Sequence, residues 1–199
     1  MTENAQQVAG LLLAAGGGRR LGGRPKALLE HRGRPLVEHA VGVLRAAGCT
    51  RVHVVLGAEA AAVRERAELG GCVLVENPGW ADGMGSSLRA GLDSLTGTGA
   101  RAALVSLVDQ PGIGAAAVGR VLAAYESPRS LVCAAYDGVR GHPVLLGADH
   151  WPGIAETATG DRGARAYLRA HEEAITLVEC GDVAQPYDID TVADLGHLA

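Results

Sequence analysis

Three groups of residues in this chain have the types and spacing to bind and activate a polyphosphate. The densest lies in Val8–Leu29, VAGLLLAAGGGRRLGGRPKALL. Gly16, Gly17 and Gly18 let the backbone turn tightly and press bare N–H groups against a ligand, an approach that a Cβ would block. Arg19, Arg20, Arg24 and Lys26 follow closely, a cluster of fixed cations suited to phosphate. Two common phosphate patterns are excluded. The third glycine position of the dinucleotide fingerprint is Leu21, and Arg24-Pro25 stands where a P-loop needs Lys-Ser/Thr. What remains is Leu-Ala-Ala-Gly-x-Gly-x-Arg-Leu-x4-Lys, in which Leu13, Ala14 and Ala15 lead into the glycine loop.

The second group is Asp109. An apolar run, Arg101–Val108, delivers Asp109-Gln110-Pro111 to the end of a strand. A carboxylate at that edge, facing the glycine loop, suits Mg²⁺ shared with nucleotide phosphates. Read alone, Asp-Gln-Pro is an ordinary turn. Paired with the loop, the metal reading is preferred. The third group is Tyr187-Asp188-Ile189-Asp190-Thr191, where alternation points both carboxylates the same way. Thr191 or Asp190 also suits the cap of a terminal helix, Val192–Leu198.

A further stretch, NPGWADGMGSSLRAGLDSL, leaves the third long strand of the chain. Gly83 and Gly85 permit close approach, and Ser86 suits the start of a helix that runs to Leu95. The open helix start would recognise a base or phosphate. An ordinary capped loop explains it equally well. Later in the chain, His142, Arg162 and Arg165 have the chemistry to meet an anionic acceptor. For His142 a structural role is the more usual one, and for the arginines a solvated helix start is an equal alternative.

The elements that must position these groups read as alternating strands and helices. Val8–Ala15, Arg51–Gly57, Cys72–Val75, Arg101–Val108, Leu131–Tyr136 and Ala174–Glu179 are short apolar runs bounded by breakers. Leu36–Ala47, Ala58–Leu69, Ala115–Tyr125 and Ala164–Ala170 carry helical spacing. Pro143 marks an edge or a strand start. This pattern predicts an α/β fold: a single Rossmann-like domain over 1–199, with a mostly parallel central sheet and helices on both faces.

Composition narrows the function. The chain of 199 residues is 48% hydrophobic and carries a net charge of −4. That balance argues against nucleic acid as a partner, so the arginines near residue 20 serve a small anion. Four widely spaced cysteines give no zinc or iron–sulfur pattern and read as reduced thiols. The start, MTENAQQ, has no secretory character, and no apolar run is long enough for a membrane span. A cytoplasmic protein is expected.

With these motifs assembled, the chain resembles the MobA-like nucleotidyltransferases, and most of all their molybdenum cofactor cytidylyltransferase branch. The resemblance spans nearly the whole chain through LAAGGGRRLGGRPKALL, NPGWADGMGSSLRAGL, LVDQP, GHPVLL, GDRGARAYL and YDIDTVADL. It implies that CMP moves from CTP to the phosphate of molybdenum-bound molybdopterin, with Mg²⁺ as cofactor and pyrophosphate released. It matches Gly16, Gly17 and Gly18 to the phosphate loop, Arg20 and Lys26 to the catalytic cations, and Asp109 and Asp190 to metal ligands. Asp188 stands at a neighbouring position. Leu-Ala-Ala-Gly favours CTP over GTP. Guanylyl transfer, NMP transfer to another phosphorylated metabolite, and a non-catalytic cofactor carrier or insertion chaperone are the competing expectations. Handover to a recipient molybdoenzyme by contact is also expected. As an exposed loop residue, Lys26 is expected to matter for rate more than for stability.

Overall fold

Strand β1 (Val8–Ala14) is buried along its whole length, so its alternating side chains must be covered on both sides. In the computed structural model, which describes residues 7–198, they are. Val8, Leu12 and Ala14 enter one core layer, while Ala9, Leu11 and Leu13 enter the other. The first layer lies under α1 (Leu36–Ala46), α2 (Ala60–Arg66) and α4 (Ala115–Ala123); the second lies under α3 (Met84–Leu95), α5 (Trp151–Thr157) and α6 (Arg165–Ala170). Gly91 lets α3 press onto the sheet, since a Cβ there would meet Leu11 at 2.6 Å.

The central sheet has seven strands. They are β1, β4 (Val52–Leu56), β5 (Val73–Glu76), β6 (Ala102–Leu107), β7 (Leu131–Tyr136), β8 (Val139–Gly147) and β9 (Ile175–Glu179). Their order is β5-β4-β1-β6-β8-β7-β9. Only β8 runs against its neighbours β6 and β7. A separate hairpin, β2 (Glu30–His31) with β3 (Arg34–Pro35), stands before α1. The chain winds outward from β1 through β4 to β5 and then returns to β6 on the other side of β1. That reversal opens a crevice at the carboxyl ends of β1 and β6, where open α/β sheets take their ligands.

The α/β class and the mostly parallel sheet agree with the sequence reading, and four local assignments are corrected. First, β8 is an internal strand rather than an edge. Asp137 and Gly138 both take positive φ, 52° and 78°, which closes a direct hairpin of the primed type onto β7. Pro143 is tolerated because β7 pairs Cys133 with Val144 and Ala134 with Gly141, leaving His142 and Pro143 in an irregularity. Second, Ser86 does not cap α3: the helix begins at Met84 after Gly83. Third, Val192–Leu198 is a 3₁₀ helix. Its start is tied by Asp194, whose Oδ2 accepts from the Thr191 N–H at 2.7 Å and the Asp190 N–H at 3.1 Å, so neither Thr191 nor Asp190 supplies the cap. Fourth, Trp151–Thr157 is helical, an element the sequence reading omitted; Pro152 near its start was the available signal.

No helix among the described residues is long and apolar enough to cross a membrane. The cysteines are free, and Cys49, Cys133 and Cys180 are buried; burial alone pushes the Cys49 thiol up to about 12.

Candidate functional site

At the carboxyl ends of β1 and β6 lies a cleft of about 710 Å³. Its floor and one wall come from the glycine loop. Gly18 takes φ +58, and a Cβ on it would stand 2.0 Å from the Arg24 carbonyl oxygen, so the turn demands glycine. The Leu21 and Gly23 N–H groups donate back to the Gly18 carbonyl at 2.8 and 3.1 Å, and the Lys26 N–H reaches the Gly16 carbonyl at 3.4 Å. This curl turns Lys26 toward the end of β6.

There, Lys26 Nζ donates to Asp109 Oδ2 at 2.6 Å and also to Asp190 Oδ1. Asp109 follows β6, while Asp190 sits in a loop whose Ile189 N–H donates to the Asp109 carbonyl at 2.9 Å. One backbone bond thus brings together carboxylates that are distant in sequence. Burial works against the ammonium charge of Lys26, but Asp109 and then Asp190 outweigh it, so its pKa is raised. The expectation of an exposed loop lysine is corrected: the side chain is only 14% exposed.

Asp188 lies beside this trio and accepts from Gln110 Nε2 at 2.8 Å. Desolvation in the cleft, and then the charges of Asp109 and Asp190, push its pKa up; the Gln110 bond and Lys26 act against them. Asp188 and Asp190 both line the cleft, as the alternation predicts.

A divalent metal must suit these donors. Two carboxylates converging on one ammonium form a hard, all-oxygen set, which fits a cation such as Mg²⁺ or Mn²⁺. Among the described residues, no group of three or more His, Cys, Asp or Glu side chains forms a complete metal cage. The pair therefore suits an ion shared with a phosphate ligand.

Of the other predicted residues, Leu13, Ala15, Gly16, Gly17, Gly18, Arg20, Gly83, His142, Arg162 and Arg165 line the cleft. Ala14 and Ser86 do not. Ala14 points into the opposite core layer, as strand alternation requires. Ser86 is buried; its hydroxyl lies 2.8 and 2.9 Å from the Gly79 and Gly83 carbonyls and accepts from Asn77 Nδ2 at 2.9 Å. It braces the turn before α3 rather than facing a ligand, and its neighbour Ser87 lines the cleft instead.

The sequence reading missed the apolar half of the cleft. Met84, Leu88, Val105, Val144, Leu146 and Leu168 line it from four different elements. Trp80 stands between the halves. It is seated on glycines: a Cβ on Gly57 would lie 2.4 Å from its side chain, and one on Gly17 would lie 3.1 Å from its ring. Gly83, with φ +100, and Gly85 let the start of α3 pack against the backbone of residues 158–160, and this places Arg162 and Arg165 at the rim. His142 reaches the cleft from β8. Burial and the nearby Arg165 push its pKa down to about 4, so it meets a ligand as a neutral imidazole.

Comparison with known proteins places this geometry in context. A family profile described as the MobA-like NTP transferase domain matches residues 10–175. Nicotine blue oxidoreductase of Paenarthrobacter nicotinovorans is 44% identical over 198 residues, covering 96% of each chain. Molybdenum cofactor guanylyltransferase of Rhodobacter capsulatus is 31% identical over 92% of this chain and 85% of its own. Two mycobacterial crystal structures share the fold. One, from Mycobacterium sp. strain JC1, is 30% identical with a TM-score of 0.83, covering 96% of this chain and 94% of that one. The other, a manganese complex from Mycobacterium tuberculosis, is 27% identical with a TM-score of 0.74, covering 96% and 97%.

Proposed function

The chain belongs to the MobA-like NTP transferase family, and from that premise we propose that it moves CMP from CTP onto the phosphate of a molybdenum-bound molybdopterin. Nucleotidyl transfer is carried by one observation: Lys26 bridging Asp109 and Asp190 against the glycine loop. CTP rests on Leu13-Ala14-Ala15-Gly16, and the acceptor rests on the guanylyltransferase relative.

In this reading the glycine-loop N–H groups and Arg20 bind the triphosphate. Lys26 leaves its carboxylate pairing far enough to meet the developing charge. An acceptor phosphate oxygen attacks the α-phosphorus in line, the bond to the bridging oxygen breaks, and pyrophosphate leaves. An acceptor phosphate is already largely ionised at neutral pH, so no side chain has to remove a proton. Asp109 and Asp190 would hold Mg²⁺, which supplies charge neutralisation at the triphosphate and the leaving group. The apolar half, with neutral His142 and the rim cations Arg162 and Arg165, suits a flat heterocycle that carries an anionic tail. The cytoplasm, where nucleoside triphosphates are plentiful, is the proposed compartment, and a molybdoenzyme is the proposed recipient.

A second reading follows from the 44% identity to nicotine blue oxidoreductase. A cleft that wraps a pyrophosphate beside an apolar pocket would also accept a reduced nicotinamide dinucleotide with a flat dye as electron acceptor. Against it stands Leu21, which breaks the dinucleotide fingerprint.

The deciding experiment offers CTP, GTP, ATP and UTP in turn with Mg²⁺ and molybdenum-loaded molybdopterin, and in parallel offers a reduced nicotinamide with nicotine blue. Pyrophosphate release with CTP supports the proposal, and release with GTP moves it to the guanylyl branch. Nicotinamide oxidation without pyrophosphate release would sink both in favour of the second reading.

A further inference from the structure

Behind the site, between β6 and α1, is a small cavity with about 20 Å³ open to the centre of a water molecule. One water needs roughly 10–15 Å³ by that measure. Three buried polar atoms without a hydrogen-bond partner among the described residues belong to side chains that line it: His39 Nε2, Ser106 Oγ and Gln110 Oε1. Buried polar atoms left unpaired are costly, and a polar pocket of this size is where a protein keeps ordered water. The remaining lining includes Val43, Ile113 and Val118, which offer a water no partner, and the imidazole of His142, which also reaches the main cleft.

We propose that this cavity holds one structural water, which donates to Gln110 Oε1 and His39 Nε2 and accepts from the Ser106 hydroxyl, and so fixes the Gln110 amide with its Nε2 toward Asp188. The donors and acceptors balance. Water has two protons to give, and the serine has one. His39 offers a lone pair because burial and the neighbouring His31, whose ring centroid is 4.7 Å away, keep it neutral against a hydrogen bond to the Pro111 backbone.

The amide has two orientations, and they are not equivalent. With Oε1 on the water, Nε2 donates to Asp188 Oδ1 at 2.8 Å. Flipped, the carbonyl would face the carboxylate, oxygen against oxygen. His39 and Ser106 are thereby positioning residues, acting through Gln110 on a carboxylate beside Asp109 and Asp190. The significance for catalysis rests on the nucleotidyl-transfer reading; the water and the amide orientation do not.

The test begins with a crystal structure of the unmodified protein at a resolution that shows ordered water. A peak within hydrogen-bond distance of all three atoms is expected, and an empty cavity overturns the proposal. Ser106→Val, which puts one methyl in place of the hydroxyl and a second beside it, should lose the peak. It should also move the Gln110 side-chain amide N–H resonances, read by NMR, as the amide loses its fixed orientation toward Asp188. Ser106→Thr should restore both, and it keeps the test alive if the valine variant does not fold. Gln110 amide resonances unmoved in Ser106→Val overturn the positioning role. For support of the kind that outlying groups give to metal ligands, kcat/KM should fall by roughly tenfold. Loss of the water and shifted Gln110 amide resonances with unchanged pyrophosphate release would keep the positioning and count against the transfer reading of this site.

Discussion

The two halves of the cleft are built by opposite strategies. The phosphate half is made of backbone and charge: a glycine turn, Lys26, Arg20 and carboxylates that meet at the edge of β6. The acceptor half is made of side-chain surface contributed by α3, β6, β8 and α6, with Arg162 and Arg165 at the rim. In the proposed reading backbone N–H groups and paired charges meet the triphosphate, so this half would carry the reaction. Shape and apolar area would discriminate between acceptors, so the other half would carry acceptor specificity. Substitutions should divide along this line, with rate lost in one half and acceptor affinity in the other.

The largest effect is expected at Asp109. Asp109→Asn replaces a charged donor with a neutral amide, and pyrophosphate release should fall by at least about 100-fold, roughly 2.7 kcal/mol of transition-state stabilisation. The thermal midpoint should move little. Turnover near that of the unmodified protein would remove Asp109 from the phosphate half.

Lys26→Ala comes next. Loss of the ammonium leaves Asp109 and Asp190 facing each other without a counter-charge, so about 10- to 100-fold in rate should disappear along with some stability. Because a divalent cation would then relieve the repulsion, Mg²⁺ or Mn²⁺ should raise the melting temperature of the variant more than that of the parent. An equal response in both would show that the two carboxylates do not share an ion.

In the acceptor half, Met84→Ala removes apolar surface next to Leu88. The KM for the acceptor should rise roughly tenfold, the scale of a lost hydrophobic contact, while the nucleotide Kd stays the same. A change in nucleotide affinity instead would erase the distinction between the halves.

The same division explains what the sequence made legible. Gly16–Gly18, Lys26 and Asp109 announce themselves because phosphate chemistry demands rare residue types at short spacings, and the strand–helix alternation around them follows from hydrophobic runs. Of the acceptor half, His142, Arg162 and Arg165 were legible, and the apolar lining is silent. Met84, Leu88, Val144 and Leu168 are ordinary apolar residues, and only the folded sheet and the packing of residues 158–160 on Gly83 and Gly85 gather them. Ser86 misled because a serine near a helix start resembles a cap, yet Asn77 and two carbonyls occupy its hydroxyl. Ser106 passed as part of an apolar run, although a lone hydroxyl on a buried strand face is itself a request for a partner. The antiparallel β8 was legible in principle, since Asp137-Gly138 is a hairpin signal.

The smallest effect concerns His142, which reaches both the cleft and the water cavity. Its folded pKa, about 4, lies below the ordinary value of 6.5 because burial and Arg165 oppose its charge. Between those values the unfolded chain binds the extra proton and the folded chain does not. Stability should therefore rise with pH from about 4 to 6.5 and gain nothing further from this group above that. Urea midpoints measured across this window in the parent and in His142→Gln should differ in slope, the parent falling faster on acidification, with carboxylate effects common to both cancelling. Parallel slopes would mean that His142 takes up its proton as freely in the fold as outside it. The acceptor half would then present a cation rather than a neutral imidazole at mildly acid pH, and the proposed fit to a flat heterocycle would have to rest on the apolar lining without His142.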